Sequence, residues 1–270
     1  MRVISAQSVP FQENILLGLL RYRALIRNLV IKDLRLKYRD AVLGFIWSLV
    51  LPLFTILVYY AAFGLILKLD FPNYLVFLVV SLLSWNFFAT STLSSTTAIV
   101  GNSSLVRKIA FPWEVLPISC VLFHLVQFLV AMGVLLLLIP VLSTIRLGWQ
   151  TVWLVPLIGL HVLFTIGVAI ALSVAATLWR DVRHMTEMAL PLLFWITPIV
   201  YTVDRAPERM RVLMRANPLG AFALTYQDIL FNGSVPTLAG SATIAVWTGA
   251  ALLVGYLLMR GYYTRLVEEL

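Results

Sequence analysis

Six stretches of the chain carry no Lys, Arg, Asp or Glu: residues 41–67, 71–106, 115–145, 147–179, 188–203 and 229–259. About twenty predominantly apolar residues are needed to cross a bilayer as a helix. Five of the stretches meet that length, and 188–203 does so only if Met185 or Glu187 joins it. A further uncharged piece, 216–227, is too short to cross and suits a re-entrant or interfacial segment. The N-terminal segment 10–35 has a different rhythm. Ile15, Leu19, Tyr22, Ile26 and Leu29 recur at three- and four-residue steps and share one helix face, with Arg21, Arg23, Arg27 and Lys32 on the flanks and back. This pattern predicts an all-α polytopic membrane protein with six transmembrane helices, an N-terminal amphipathic interface helix, and short re-entrant helices between the last two spans.

Composition narrows the class. Of 270 residues, 61% are hydrophobic and 12% charged, against roughly half and a quarter in a soluble domain. A folded globule of this size has too little interior for so much apolar surface, so a soluble enzyme, a disordered chain and a disulfide scaffold are excluded. The one cysteine, Cys120, has no intramolecular partner. No cleavable signal is expected, because residues 1–14 lack an apolar core.

The net charge is +8. It clusters beside apolar spans, which fits topology and anionic headgroups rather than nucleic acid. With the N-terminus inside, 14 of the 20 Lys and Arg residues fall on the cytoplasmic side, so the positive-inside rule places both termini there. The organisation is then a cytoplasmic N-terminus, 1–40, and a transmembrane domain, 41–270, with a cytoplasmic loop at 101–114 and an external region at 204–236.

Several segments carry chemistry. Residues 101–114 read GNSSLVRKIAFPWE. Asn102 or Ser103 can cap a short helix there, and Phe111-Pro112 ends it. The Ser- and Thr-rich run 81–104 suits close helix packing better than a wet path. Asp181 can pair with Arg180 or Arg183, and His184 is read as a flanking surface histidine. His124 and His161 lie within spans, where a neutral imidazole bonded to a neighbouring helix is the expected state. Four arginines, Arg205, Arg209, Arg211 and Arg215, occupy the external loop. A helix would stack them in pairs four residues apart, beside Asp204 and Glu208. Pro191, Pro198 and Asn217-Pro218 predict broken helices, which lipid tolerates only where protein or a cavity covers the freed backbone. No GxxxxGK[ST] phosphate loop occurs, and no HExxH or GxSxG motif.

The runs KDLRLKYRDAVLGFIWSLVLPL, GNSSLVRKIAFPWEVLP, WRDVRHMTEMALPLLFWITPIVY and NPLGAF, in that order, resemble the membrane subunit of type-two ABC exporters. The similarity is to the branch that exports polysaccharides or polyol phosphates, of O-antigen, capsule or teichoic acid type. It covers roughly residues 20–235.

The resemblance implies a homodimer with two cytoplasmic ATP-binding subunits. These partners, not this chain, would bind ATP and Mg2+, and any carbohydrate-binding domain would sit on them. The substrate would be a polymer on a polyprenyl-pyrophosphate lipid. The helix at 10–35 and the loop 102–112 would contact the ATPase. In that loop the contacts would be Asn102, Ser103, Leu105, Val106 and Ile109, flanked by Arg107 and Lys108 and closed by Phe111 and Pro112. Aromatic residues would line the glycan path, with Trp47, Tyr59, Trp85, Trp195 and Tyr201 as positional choices. The external arginines have two readings by their charge: a solvated loop resting on outer-leaflet phosphates, which is the first expectation, or a contact for the pyrophosphate or an anionic polymer near the exit. Two other classes are weighed against this one: a membrane-embedded transferase, whose acidic and histidine groups would converge at one face, and an ATP-independent transporter, which usually carries a charged site at mid-bilayer.

Overall fold

A computed structural model describes residues 21–39, 47–66, 71–109 and 111–269. Among these residues there is helix and no strand. The helices, in order, are α1 (Arg23–Tyr38), α2 (Trp47–Tyr59, continued by a π-helical stretch Tyr60–Ile66), α3 (Tyr74–Ser95), α4 (Ser103–Lys108), α5 (Val115–Leu142), α6 (Leu154–Leu178), α7 (Asp181–Ile196), α8 (Glu208–Ala216), α9 (Pro218–Leu230) and α10 (Leu238–Glu269). Short 3-10 turns occupy Val100–Asn102, Trp149–Trp153 and Val203–Arg205.

Four segments are long and apolar enough to cross a membrane by themselves: Tyr74–Ser95, Val115–Val141, Trp149–Leu178 and Leu238–Leu266. Two of the six expected spans are not among them. The first, expected at 41–67, is helical over its described part, Trp47–Ile66. The fifth stretch, expected at 188–203, is helical only from Asp181 to Ile196. The helix does recruit Met185 and Glu187, but it stops before Pro198. A proline disfavours helical geometry in the residue before it, and Thr197 is extended at φ −90° and ψ 133°. At 1.5 Å per residue α7 is about 24 Å long, short of a hydrocarbon core of about 30 Å.

α3 and α5 are antiparallel neighbours. Phe87 of α3 meets Phe128 of α5 with ring centroids 5.1 Å apart, Ser94 meets His124 at 3.0 Å, and Asn73 meets Thr144 at 3.1 Å. α6 and α10 form the most extensive helix pair. The main core joins α2, α3, α5, α6, α7, α9 and α10. A second core gathers Ile26 and Leu29 of α1 with Phe111, Trp113, Leu116, Val174, Met259 and Leu266. A small third one, Val203, Ala206 and Met214, lies under α8.

The second core changes the reading of the amphipathic helix. The helix expected at 10–35 is described from Arg23 and runs to Tyr38; Ile15 and Leu19 lie outside the described residues. Ile26 and Leu29 are buried as the stripe requires, but against protein. α1 lies along α5: Lys32 donates to Asn102 Oδ1 at 3.5 Å, and Lys37 donates to Gln127 and sits 5.5 Å from the Phe123 ring. The apolar stripe is therefore a packing face against the bundle.

Candidate functional site

The helix break expected from the prolines comes at Pro198, while α7 runs unbroken through Pro191. After Ile196 the chain leaves the helix, and its carbonyls need donors. The Tyr201 hydroxyl donates to the carbonyl of Trp195. The Gln227 amide donates to the carbonyl of Pro198 and to Ser81 Oγ, both at 2.8 Å. The Tyr74 hydroxyl donates to the carbonyl of Val200 at 3.0 Å. Three side chains from three segments thus stand in for the hydrogen bonds the helix lost.

The motif NPLG restarts the helix. Asn217 Oδ1 accepts from the Leu219 N–H at 3.1 Å, capping α9, and its Nδ2 donates to Thr197 Oγ1 at 3.2 Å. Pro218 fills the first helical position, where no N–H is needed. Gly220 is required because a Cβ there would lie 2.0 Å from the carbonyl oxygen of Met214. The resulting α8–α9 hairpin sets α9 inside the bundle, with Phe222, Tyr226, Ile229 and Leu230 all buried. The uncharged piece 216–227 is thus an internal helix running Pro218–Leu230. The start of α9 lines a small cavity with Ser84 and Trp85, about 16 Å along α3 from Tyr74. The end of α7, the start of α9 and the middle of α3 therefore meet well inside the bundle.

Beside this break sits an aromatic cluster. Phe194 is its hub, with ring centroids 5.5 Å from Tyr59, 5.5 Å from Trp85 and 5.4 Å from Trp195. Phe63 joins Tyr59 at 5.9 Å and Trp195 at 6.2 Å. Three of the five positional choices from sequence, Tyr59, Trp85 and Trp195, are thus brought together. The hub Phe194 and its neighbour Phe63 were missed, since a phenylalanine in an apolar span gives no signal of its own. Trp85 is only 9% exposed while Trp195 is 50% exposed, so Trp195 is the ring of the cluster open to a ligand, and Trp85 packs on the other side of the network through Phe194. Tyr201 is turned into its bond with the Trp195 carbonyl. The side chain of Trp47 lies outside the described residues.

The hydroxyls of α3 mostly bond to their own helix. Ser81, Ser84, Thr92 and Ser95 donate to the carbonyls of Phe77, Ser81, Phe88 and Ser91, which fits packing. The span histidines bond to neighbouring helices, His124 to Ser94 and His161 Nδ1 to the Tyr226 hydroxyl at 3.4 Å. At the start of α7, Glu187 takes Arg183, one of the two partners expected of Asp181: it accepts from Arg183 at 3.0 Å, and it also faces His184 at 3.3 Å. One helical turn separates Glu187 from Arg183, whereas Asp181 and Arg183 point to different sides.

The loop 101–114 forms α4 as predicted, but its faces differ from expectation. Neither Asn102 nor Ser103 caps it with a side chain; Asn102 instead donates to the carbonyl of Ala98 at 2.8 Å. Leu105 and Val106 are half-buried against the second core, and Phe111 is fully buried. These three, expected to contact a partner, pack against their own chain in the same core as Ile26, Leu29 and Leu266. Arg107, Lys108 and Ile109 remain exposed, with Pro112 half-buried. Arg21, Arg23, Arg27 and Lys32 of the α1 region are exposed on the same end. Glu114 is buried, 6% exposed, and its Oε2 has no hydrogen-bond partner among the described residues. Burial pushes its carboxyl above the ordinary range.

At the other end, α8 begins at Glu208, so Arg205 lies in the preceding 3-10 turn and does not stack with Arg209 on one helix. The Pro207 between them ends that turn. Arg211 and Arg215 do share α8. Arg211 Nε donates to the carbonyl of Ala206 at 2.8 Å, making it a structural brace, while Arg209 and Arg215 are exposed.

A bundle of apolar helices with an internal broken helix and an exposed basic end has the architecture of a membrane transporter subunit. The family model described as ABC-2 type transporter matches residues 24–231, and the chain belongs to that family. It is a multi-pass membrane component of a transporter, and the family implies a cytoplasmic ATP-binding partner. Among similar proteins, an O-antigen export system permease protein RfbA from Klebsiella pneumoniae is 34% identical over 206 residues, covering 76% of this chain and 79% of the relative. A second RfbA from the same organism is 32% identical over 203 residues, 75% of this chain and 78% of the relative. The RfbA of Myxococcus xanthus is 31% identical over 246 residues, 87% of this chain and 93% of the relative.

Proposed function

We propose that this chain is the transmembrane subunit of an ATP-driven exporter that moves a polysaccharide on a polyprenyl-pyrophosphate lipid across the cytoplasmic membrane. The carrying observation is the family match over 24–231 together with relatives named as O-antigen export permeases along most of both chains. Two copies work with two ATP-binding subunits, which hold ATP and Mg2+, and both termini face the cytoplasm.

The residues fit roles in that reading. Arg107, Lys108 and Ile109 form the exposed tip of a loop whose root is packed on α1, α5 and α10, so a push at the tip reaches the bundle. Sugars stack their C–H faces on aromatic rings, and Trp195 presents such a face beside Tyr59 and Phe63. Arg209 and Arg215 offer guanidinium groups to phosphate or an anionic polymer near the exit. A transferase and an ATP-independent transporter are both disfavoured by membership of an ATP-coupled family.

The test is reconstitution. The chain is co-expressed with a candidate ATP-binding subunit of the same transporter family, purified through a tag on that subunit, and assayed in a strain lacking its own polysaccharide exporter. Co-purification and ATP-dependent appearance of surface polysaccharide support the reading. Activity that persists with a hydrolysis-deficient ATPase counts against it.

A further inference from the structure

His161 is 2% exposed, and its ring is held on all sides. It stacks on Phe222 at 4.4 Å between centroids and meets Phe87 edge-on at 5.0 Å. Its tautomer follows from one neighbour. The Tyr226 hydroxyl lies 3.4 Å from Nδ1 and has no other hydrogen-bond partner among the described residues. A buried phenol donates its proton where an acceptor stands in reach, so Nδ1 accepts. A charged imidazolium is excluded by such apolar surroundings. In the neutral ring the proton then resides on Nε2. That Nε2 makes no hydrogen bond among the described residues.

A buried N–H without an acceptor costs about 1–3 kcal/mol, and the surroundings supply a remedy. A cavity of about 10 Å³ is lined by His161, Ser84, Trp85, Thr197, Leu219, Phe222 and Ala223. That is on the order of the room one water needs. Two of its walls are acceptors with spare lone pairs. Ser84 Oγ spends its proton on the Ser81 carbonyl at 2.9 Å. Thr197 Oγ1 spends its own on the Leu193 carbonyl at 2.7 Å and accepts once, from Asn217.

We propose that one water molecule is bound in this cavity, accepting from His161 Nε2–H and donating to Ser84 Oγ and Thr197 Oγ1. The count closes: one orphan donor, two open acceptors, and a molecule with two protons and a free lone pair. The site joins α6, α3 and the first residue beyond α7. The helix break is therefore held to the bundle through an exchangeable molecule at the point where α7 ends and α9 begins.

Two measurements decide it, both on the assembled transporter in nanodiscs. The first is a cryo-electron microscopy map at a resolution that shows other buried waters. The expected peak lies about 2.7–3.2 Å from His161 Nε2, Ser84 Oγ and Thr197 Oγ1. The second is a double-mutant cycle in thermal unfolding midpoint with Ser84→Ala and His161→Phe. Phenylalanine keeps the stack on Phe222. The loss of the Tyr226 bond accompanies His161→Phe with Ser84 or Ala at position 84 alike and cancels in the cycle. Ser84 and His161 do not bond directly, so coupling between them reports the bridge. The expected result is a lowered midpoint for each single variant and no further drop in the double. Additive shifts overturn the proposal, as does a map with no density at that point. If His161→Phe does not assemble, the map of the unsubstituted complex decides alone.

Discussion

A Cβ placed on Gly255 would lie 2.6 Å from the carbonyl oxygen of Gly167. The reverse holds too: a Cβ on Gly167 would sit 2.5 Å from the backbone of Ala251. α6 and α10 therefore touch backbone to backbone, which small residues permit in lipid. Neither atom met by the new group is a movable side-chain tip. Gly167→Ala is expected to cost about 1–3 kcal/mol, the range of overpacking, and Gly167→Leu to abolish accumulation of folded protein. Gly249→Ala, where nothing lies within 4 Å, serves as the neutral control. Detergent-solubilised melting curves and membrane protein levels check all three.

The α8–α9 hairpin depends on Gly220 in a similar way. A methyl at that position meets the Met214 carbonyl at 2.0 Å, so the turn must open. Gly220→Ala should destabilise the hairpin and expose α9 to protease added from outside. Unchanged proteolysis and export would show that the turn relaxes without cost.

The two sides of the cytoplasmic loop should respond differently to charge. Ile109 is 52% exposed, while Leu105 is packed on the second core. Ile109→Asp is expected to leave protein level near normal and to separate ATP hydrolysis from export. Leu105→Asp buries an unpaired charge and should lower folded protein instead. Equal protein levels with equal export defects would argue that both residues face the ATPase.

Glu114 makes stability depend on pH. Its carboxyl is held above the ordinary value of 4.5 by burial, so the folded state binds the proton more tightly than the unfolded chain. Its contribution is fully present below that ordinary value and is lost as pH rises through the higher folded value. Between about pH 5 and about pH 8 the melting temperature of the native protein should fall more steeply than that of Glu114→Gln, with the variant the more stable at the upper end. Parallel curves would mean that a cation reaches Glu114 in the assembled protein.

Trp85 and Trp195 share the Phe194 hub but not its exposure. Trp85→Ala is expected to destabilise by about 3–5 kcal/mol, as for a buried large aromatic. Trp195→Ala should leave the melting temperature nearly unchanged while slowing polysaccharide export. Normal export by Trp195→Ala would remove this ring from the transport path.

Sequence alone determined the elements whose cause is local. Freedom from charge marked α3, α5, α6 and α10 as spans, because lipid excludes charge whatever the neighbours are. Pro198 and Asn217-Pro218 announced the break, because a proline restricts its own backbone and the residue before it. The four quoted runs placed the chain in its transporter class. Tertiary structure decided which face meets what. The stripe of α1 had the same spacing whether it was to meet lipid or protein, and the floor formed by Trp113, Leu116 and Leu266 settled it. Leu105 and Ile109 looked equivalent in the sequence; only the position of the second core separated a half-buried root from an exposed tip. Phe194 was one apolar residue among many until Tyr59, Trp85 and Trp195 converged on it. Periodicity records that a residue prefers to be buried. The identity of its partner depends on chain segments brought together from more than a hundred residues away, as with Tyr59 and Phe194.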